Sequence, residues 1–342
     1  MIDLLVVGGG PAGLATAVHA AEAGLDVVVA EPRTAPIDKA CGEGLMPHGA
    51  RALAELGVRV AGRPLLGIRY LDGRHQADAP FRGTPGLGVR RTELHAALAR
   101  RVAELGVPVL SLRVDEVRQD GARVYAAGLT ARHLAAADGL HSPIRRRLGL
   151  LRAEPWPARG WPARHGLRRH FAVRPWSDRV EVHWAARSEA YVTPVAPDLV
   201  GVALLTGERG SFDDQLARFP ALRERLDASA AGPVRGAGPM RQRVRARVAG
   251  RVLLVGDAAG YVDALTGEGI SLALAEAAAL VRCVRLGRPD AYEHAWRRAT
   301  RRHRLLTHAL LWARHRAGLA PHIVPTAARL PALFAGVVDR LS

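Results

Sequence analysis

Residues 8–13 read Gly8-Gly9-Gly10-Pro11-Ala12-Gly13 and directly follow a short apolar run at residues 3–7. The apolar run predicts a buried strand, and the Ala-rich stretch at 11–23 predicts a helix. A second apolar run at 27–31 predicts another buried strand. The spacing therefore predicts a strand, a tight glycine turn, a helix and a parallel strand, which is the opening unit of an α/β fold.

Each glycine of this turn has a predicted task. Gly8 permits the tight turn, Gly10 lets the backbone approach a pyrophosphate, and Gly13 allows close packing of helix on strand. The helix N-terminus offers unpaired N–H groups and a partial positive charge. Glu31 ends the second strand 18 residues after Gly13, where a carboxylate can accept hydrogen bonds from a ribose. The pattern predicts a dinucleotide site and leaves FAD and NAD(P) as alternatives.

Two later motifs favour FAD. Residues 138–145 read Asp138-Gly139-Leu140-His141-Ser142-Pro143-Ile144-Arg145, and residues 256–260 read Gly256-Asp257-Ala258-Ala259-Gly260. These runs resemble the D-G-x-x-S-x-x-R and G-D-A-A elements of the FAD-dependent monooxygenase superfamily, which has the para-hydroxybenzoate hydroxylase fold. The resemblance implies that Asp257 binds the ribityl–pyrophosphate part of FAD and that Arg91 helps to hold the cofactor.

The predicted cofactor-binding residues lie in or beside these motifs. They are Gly8, Gly10, Ala12, Gly13, Glu31, Pro32, Arg33, Cys41, Gly42, Arg91, Asp138, Gly139, Gly256, Asp257, Gly267, Gly269 and Ile270. A helix predicted to begin near residues 268–271 would place its N-terminus beside the isoalloxazine and stabilise the negative charge of reduced flavin. The sequence has no second strand–glycine–helix unit, so NADH or NADPH is expected to visit the flavin as a transient electron donor.

Within the superfamily, three runs are most similar to geranylgeranyl reductases and their relatives. Lys39-Ala40-Cys41-Gly42-Glu43-Gly44 is similar to K-x-C-G-G, and Thr266-Gly267-Glu268-Gly269-Ile270 is similar to T-G-E-G-I. Tyr191-Val192-Thr193-Pro194 matches Y-x-W-x-F-P in part, with Thr193 where the pattern has Trp. Ala264 also replaces the usual Pro before the T-G-E-G-I run.

Three side chains are candidates for catalysis. Lys39, the single lysine of the chain, could face anionic flavin or a substrate oxygen, or it could be an ordinary surface residue. Cys41 could be a proton donor or flavin neighbour, or a small packed side chain. Tyr191 is a second possible proton donor. Cys283 lies on an Ala/Leu-rich segment and is expected to pack in the core.

The resemblance leaves three functions open. The favoured function is an NAD(P)H-driven monooxygenase that hydroxylates a hydrophobic aromatic or polyketide-like small molecule. The second is a geranylgeranyl reductase-like enzyme that reduces a C=C bond, and the third is a non-catalytic FAD-binding redox protein. A hydrophobic ligand could lie against a wall of tryptophans, or these side chains could form sheet core. The tryptophans are Trp156, Trp161, Trp176 and Trp184.

The expected architecture is α/β, with a Rossmann-type FAD-binding domain, an inserted antiparallel-sheet substrate domain and C-terminal helices. Residues 1–60, 86–150 and 241–342 are predicted to form the FAD-binding domain with the C-terminal helices. Residues 61–85 and 151–240 are predicted to form the substrate domain, because the latter stretch changes to Trp, Pro, Arg and alternating strand-like runs.

Composition bounds the partners. The chain of 342 residues has 49 Lys+Arg against 32 Asp+Glu, a formal net charge of +17. Arginines are spread along the sequence, so no nucleic-acid partner is predicted. Peripheral membrane contact by residues 305–333 is a less favoured alternative to core packing. No metal site is predicted. A cytoplasmic location is expected, because the chain has two cysteines and no signal segment is recognised. The oligomeric state stays open.

Overall fold

The computed structural model describes residues 1–152, 163–226 and 230–340. Trp156 and Trp161 of the predicted aromatic wall lie outside these residues. The strands are β1 (Ile2–Val7), β2 (Val27–Ala30), β3 (Gly44–Leu45), β4 (Arg63–Leu65), β5 (Gly67–Leu71), β6 (Gln76–Pro80), β7 (Gly86–Gly88), β8 (Val109–Leu110), β9 (Arg118–Gln119), β10 (Val124–Ala126), β11 (Leu129–Ala136), β12 (His165–Phe171), β13 (Val180–Trp184), β14 (Ser188–Ala196), β15 (Leu199–Thr206), β16 (Ala230–Ala237), β17 (Val248–Ala249) and β18 (Val252–Leu254).

The α-helices are α1 (Pro11–Glu22), α2 (Pro47–Glu55), α3 (Arg91–Glu104), α4 (Pro143–Arg147), α5 (Phe212–Leu216), α6 (Pro220–Leu226), α7 (Gly269–Arg285), α8 (Tyr292–Arg314), α9 (Ile323–Arg329) and α10 (Pro331–Asp339). Short 3₁₀ turns cover Gly256–Ala259, Pro289–Ala291 and Ala320–His322. The structure thus confirms the predicted α/β class.

The first sheet carries the glycine turn. Its strand order is β17-β18-β11-β1-β2-β8, with β9 and β10 continuing from β11. The pairs β18–β11, β11–β1, β1–β2 and β2–β8 are parallel. Helix α1 packs on α3 and on α7 beside this sheet. Parallel strands that are covered by helices have unbroken apolar sequences. The carboxyl ends of β1, β11 and β18 therefore meet at one edge, where ligands of such sheets bind.

The second sheet has the order β16-β12-β15-β14-β13-β5-β6. Strands β12 to β16 pair with one another in antiparallel fashion, as expected. Strand β13 also pairs with β5 in parallel, so the whole sheet is mixed. Strands from residues 67–80 and 165–237 thus share one sheet. The division of the chain into two domains stays a prediction. Strands β3, β7 and β4 form a third sheet, and β4 and β7 contact β14 of the second sheet.

The C-terminal helices connect the two cores. Trp296 of α8 is buried in the core of the first sheet, whereas Leu311 of the same helix is buried with Val324 and Phe334 beside the second sheet. Much of the expected core packing of this segment is therefore present. In the described parts of the chain, none of the helices is long and apolar enough to cross a membrane.

Candidate active site

The turn between β1 and α1 requires glycine at two positions. Gly8 has a φ of +108°, and a Cβ there would overlap the carbonyl oxygen of Ala137. A Cβ on Gly13 would overlap the carbonyl oxygen of Gly8. The first turn of α1 consequently lies directly against the ends of β1 and β11, as predicted for a phosphate-binding turn.

The beginning of α1 is open. Gly10 is the N-cap and provides no side-chain hydrogen bond, so the first N–H groups of the helix are not capped by that residue. A Cβ on Gly10 would meet a single group within 4 Å, the Nη2 atom of Arg91 at 4.0 Å. A helix N-terminus and a guanidinium thus face the same space, and both favour a bound anion.

Glu31 is already engaged within the protein. Its Oε2 accepts the Gly9 N–H at 2.7 Å, and its Oε1 accepts the Arg33 N–H at 2.9 Å and Nε at 2.8 Å. Burial alone would raise the pKa of this carboxyl, but the hydrogen bonds from Arg33 and Gly9 hold it below its usual value. Arg33 was predicted as a cofactor neighbour, and together with the exposed Pro32 it lies at the end of β2. Binding of a ribose by Glu31 stays a prediction.

The later motifs pack directly on this turn. Gly256 has a φ of +64°, and a Cβ there would lie 2.6 Å from that of Ala12. The Arg145 guanidinium donates to the carbonyls of Asp257 and Ala258 at 3.1 Å each and to Leu140 at 2.6 Å. One buried arginine from the first motif therefore fixes the backbone of the second, although the two lie 112 residues apart.

Charges converge on Asp257. Burial raises the pKa of its carboxyl, while the cations Lys39, Arg91 and Arg145 oppose that rise. Withdrawal from water lowers the pKa of Lys39, and Arg33 and Arg91 lower it further, against the effect of Asp257. The Lys39 ammonium lies 3.4 Å from the position of a Cβ on Gly139. The single lysine thus lies between the two superfamily motifs.

Buried polar atoms test whether FAD fits. Within the described residues, Nε of Arg91, Nδ1 of His95 and Oδ1 of Asp138 have no hydrogen-bond partner. All three belong to residues around the glycine turn, and buried polar groups are normally paired. A ligand with phosphates and hydroxyls would supply acceptors and donors here. Together with the uncapped α1, the residues fit a dinucleotide of the FAD type.

Cys41 lies on the other side of Arg91. Its Sγ accepts the Glu43 N–H at 3.4 Å, and Thr193 donates its hydroxyl hydrogen to the Gly42 carbonyl at 2.7 Å. Burial raises the pKa of the Cys41 thiol, and Glu43 adds to that rise while Arg91 opposes it. The sulfur is therefore held as a neutral thiol near Arg91. Cys283 is buried in the first core, as expected.

Glu43 is a site residue that the sequence analysis missed. Its Oε1 accepts the Arg91 N–H at 2.8 Å, and its Oε2 lies 2.7 Å from Nε2 of His170. Arg168 neighbours the same carboxylate at 4.0 Å and pairs with Asp38. The available signal was the second Gly of K-x-C-G-G, which is Glu43 here. Its φ of 59° is a backbone conformation that glycine adopts most easily.

The third candidate catalytic residue faces a loop. The Tyr191 hydroxyl donates to the Leu265 carbonyl at 2.8 Å, and burial and Glu189 raise its pKa well above the usual value. The loop continues through Gly267, with a φ of +69°, to Gly269 and Ile270 at the start of α7. Tyr191 thus links the second sheet to the loop before α7, and its part in proton transfer stays a prediction.

Comparison with known proteins identifies the family. Residues 1–162 match the family model described as an FAD binding domain. The menaquinone reductase of Mycobacterium tuberculosis is 32% identical over 310 residues, which cover 80% of this chain and 74% of that protein. The chain belongs to the FAD-dependent monooxygenase superfamily. It is an FAD-dependent oxidoreductase, and its motifs place it near the geranylgeranyl reductase-like flavoproteins of that superfamily.

Other members of the superfamily carry different activities. The 3-amino-4-hydroxybenzoate 2-monooxygenase of Streptomyces cremeus is 30% identical over 326 residues, covering 86% of this chain and 82% of that protein. A geranylgeranyl bacteriochlorophyll reductase-like structure from Thermoplasma acidophilum has the same fold. It has a TM-score of 0.78 at 20% identity and covers 100% of this chain and 93% of its own. Both reductases and monooxygenases are thus similar to this flavoprotein.

Proposed function

We propose that this flavoprotein reduces a carbon–carbon double bond in a hydrophobic, isoprenoid-type substrate, with NADH or NADPH as the electron donor in the cytoplasm. The observation that carries the proposal is the neutral thiol of Cys41 beside Arg91. The sequence alone placed monooxygenation first. The geometry around Cys41 and the similarity to a menaquinone reductase reverse that order.

Reduction of an isolated double bond requires a hydride and a proton. Bound FAD would supply the hydride. The proton must come from a group that still carries one at neutral pH and lies close to the cofactor. Cys41 fits because its thiol, whose pKa burial raises, carries a proton at neutral pH, and its sulfur accepts the Glu43 N–H. Monooxygenation has no comparable need for a buried thiol.

The surroundings of Cys41 suit a hydrophobic substrate. The second sheet and the C-terminal helices form an apolar core that includes Met46, Tyr191 and Leu265. Met46 lies five residues after Cys41 in the sequence, and its methyl group is 3.8 Å from the position of a Cβ on Gly267. The apolar core therefore extends from the Cys41 segment to the loop before α7, and an isoprenoid chain bound beside it would be excluded from water.

A single-turnover experiment tests the proposal. The purified holoprotein is reduced without oxygen and mixed with a menaquinone or a geranylgeranyl lipid, and the product is analysed by mass spectrometry. The expected product keeps two added hydrogens in its isoprenoid chain after exposure to air, which returns any reduced quinone ring to the quinone. Cys41→Ala should slow the reaction by roughly a hundredfold, the size of a lost general acid, when rates are compared at equal FAD content. Cys283→Ala is the matched control, because Cys283 is buried in the first core, and it should react like the parent.

Two outcomes would overturn parts of the proposal. If Cys41→Ala turns over at the parent rate, Cys41 is not the proton donor. If neither lipid gains hydrogen and an aromatic substrate gains one labelled oxygen atom from O₂, the protein is a monooxygenase. That second candidate function is favoured by the similarity to the 3-amino-4-hydroxybenzoate 2-monooxygenase over most of both chains.

A further inference from the structure

Helix α8 has one face that no part of the described chain covers. Trp296, His303, Thr307, Leu311 and Arg314 are buried on its inner side. The opposite side is exposed along the whole length of the helix. We define the α8 outer face by its exposed residues, which follow one another at helical spacing. They are His294, Arg298, Arg301, Arg302, Leu305, Ala309, Trp312 and Arg316, the last lying just beyond the helix.

The two halves of the α8 outer face differ in character. The first half carries Arg298, Arg301 and Arg302 around a groove that also reaches Leu305. The second half is apolar, with Leu305 61% exposed and Trp312 48% exposed. Arg316 lies 4.3 Å from the centre of the Trp312 ring, which places a further cation at the apolar end. Helices that lie on membranes use exposed tryptophan and leucine to enter the interface and arginines to bind anionic lipid, and the α8 outer face presents both kinds of residue to the same side.

The charge of this region is one-sided. The 45 residues from His294 to Val338 contain eight arginines and no aspartate or glutamate. The acidic residue just before them, Glu293, is engaged by Arg247 at 3.2 Å and by Arg297 at 3.1 Å. No carboxylate of this segment therefore neutralises the α8 outer face. Its complement is a dense array of negative charge such as an anionic lipid surface.

The apolar residues distinguish between anionic partners. A nucleic acid would be held by the arginines through its phosphates, but the aliphatic Leu305 and Ala309 would gain nothing from its backbone. At a bilayer surface, tryptophan and leucine side chains enter the region between headgroups and acyl chains. The alignment of Leu305, Ala309 and Trp312 with the arginines therefore favours a lipid surface.

We propose that the α8 outer face docks the protein on the surface of bilayers that contain anionic phospholipid. The helix lies parallel to the surface, with its arginines at the lipid phosphates and with Leu305 and Trp312 at the acyl boundary. The proposal rests on exposure and charge alone. Membrane binding is measured without turnover, so this proposal can fail or hold independently of the proposed reaction.

Vesicle flotation of the full-length holoprotein tests this docking. We expect nuclease-treated protein to float with vesicles of phosphatidylcholine containing about one third phosphatidylglycerol, and not with phosphatidylcholine alone. High salt should weaken the binding. The Arg298→Glu/Arg302→Glu variant should bind at least about tenfold more weakly. The matched control is Arg51→Glu/Arg123→Glu, which changes the net charge equally at exposed positions elsewhere.

A second pair of variants tests the apolar half. Leu305→Ser/Trp312→Ser should also weaken flotation, whereas Leu286→Ser should not, because Leu286 is 65% exposed but lies at the end of α7. FAD content and the thermal midpoint should stay at parent values in all four variants.

Four outcomes would overturn the proposal. The first two are absence of flotation and an equal loss of flotation in the matched controls. The other two are α8 variants that lose binding to duplex DNA but still float, and α8 variants that convert an oligomer to a monomer but still float. The last two would assign the α8 outer face to a nucleic acid and to a second copy of the chain, respectively.

Discussion

The Glu43 carboxylate lies 2.7 Å from Nε2 of His170, and its other oxygen accepts the backbone N–H of Arg91 at 2.8 Å. The side chains of Glu43 and His170 are both buried. Arg91 is the first residue of α3, so the carboxylate also lies at a helix N-terminus, where negative charge is favoured. The Glu43 side chain thereby joins the Cys41 segment, the start of α3 at Arg91 and strand β12.

Glu43→Ala should therefore affect both stability and cofactor binding. The variant leaves the Arg91 N–H and the His170 ring without their acceptor and removes the buried negative charge near Arg168. We expect a loss of about 3 kcal/mol in the free energy of unfolding. The apparent dissociation constant of FAD should rise on the order of tenfold. Urea unfolding and titration of the apoprotein with FAD measure the two effects.

Glu181→Ala separates these two effects. Glu181 is buried in the second sheet, where it accepts the Trp176 indole N–H at 3.0 Å and lies 3.5 Å from Arg69. Its removal should lower stability while FAD affinity stays at the parent value. Parent-like FAD binding by Glu43→Ala, at equal loss of stability, would show that Glu43 holds the fold and not the cofactor site.

Gly10 and Gly13 should respond differently to an added methyl group. A Cβ on Gly10 meets no atom closer than Arg91 Nη2 at 4.0 Å, so Gly10→Ala should change the free energy of unfolding by less than about 1 kcal/mol. The methyl group would nevertheless occupy the space in front of α1, and FAD affinity should fall at least about tenfold. Gly13→Ala would overlap the Gly8 carbonyl and should cost about 3 kcal/mol of stability.

Flavin absorbance after gel filtration and thermal unfolding of the two apoproteins provide the comparison. A Gly10→Ala protein that keeps all its FAD would place the cofactor elsewhere. A Gly13→Ala protein as stable as the parent would contradict the tight packing of α1 on β1.

The local features of the site could be predicted from sequence because they depend on short spacing. The βαβ unit and the need for glycine at Gly8 and Gly13 follow from neighbours in the chain. The Glu43–His170 pair could not be predicted, since its partners are 127 residues apart and neither lies in a recognised motif position for a charge. Glu31 was predicted to accept hydrogen bonds from a ribose, and the structure adds that its neighbour Arg33 donates to it. Long-range pairing of charges is decided by tertiary packing, which periodicity does not encode.

Glu276 should make stability fall as the pH rises. It lies on α7, its Oε2 accepts the Gly256 N–H at 2.7 Å, and burial raises its pKa from 4.5 to about 8. Between these values the folded protein holds a proton that the unfolded chain releases. The folded state therefore binds more protons, and its free energy of unfolding decreases with rising pH, by on the order of 5 kcal/mol over the whole window.

Glu276→Gln tests this dependence. The amide oxygen can still accept the Gly256 N–H, but the group no longer titrates. The other titrating groups, including Asp263 with its pKa of about 6, are the same in both proteins, so the difference between the two curves isolates Glu276. Urea unfolding between about pH 5 and 8 should show a steeper decline for the parent than for the variant. Equal slopes would mean that Glu276 is ionised in the folded protein.

Arg314 should be worth more to stability than its exposed neighbour Arg316. Its guanidinium pairs with Glu189 and donates to the carbonyls of Ala186 and Ala185 at 2.8 and 2.7 Å, which attaches the end of α8 to β14. Arg314→Met leaves the buried Glu189 with Arg164 as its remaining cation. Because Glu189 loses one of its two cations and two carbonyls lose their donor, we expect a loss of about 3 kcal/mol in the free energy of unfolding.

Arg316→Met is the matched control for this change. Arg316 is exposed and contacts Trp312 alone among the aromatic rings of the described chain, so its replacement should alter stability by less than about 1 kcal/mol. If Arg314→Met unfolds at the same urea concentration as Arg316→Met, the buried pair contributes nothing to the attachment of α8, and apolar packing around Leu311 holds the helix in place.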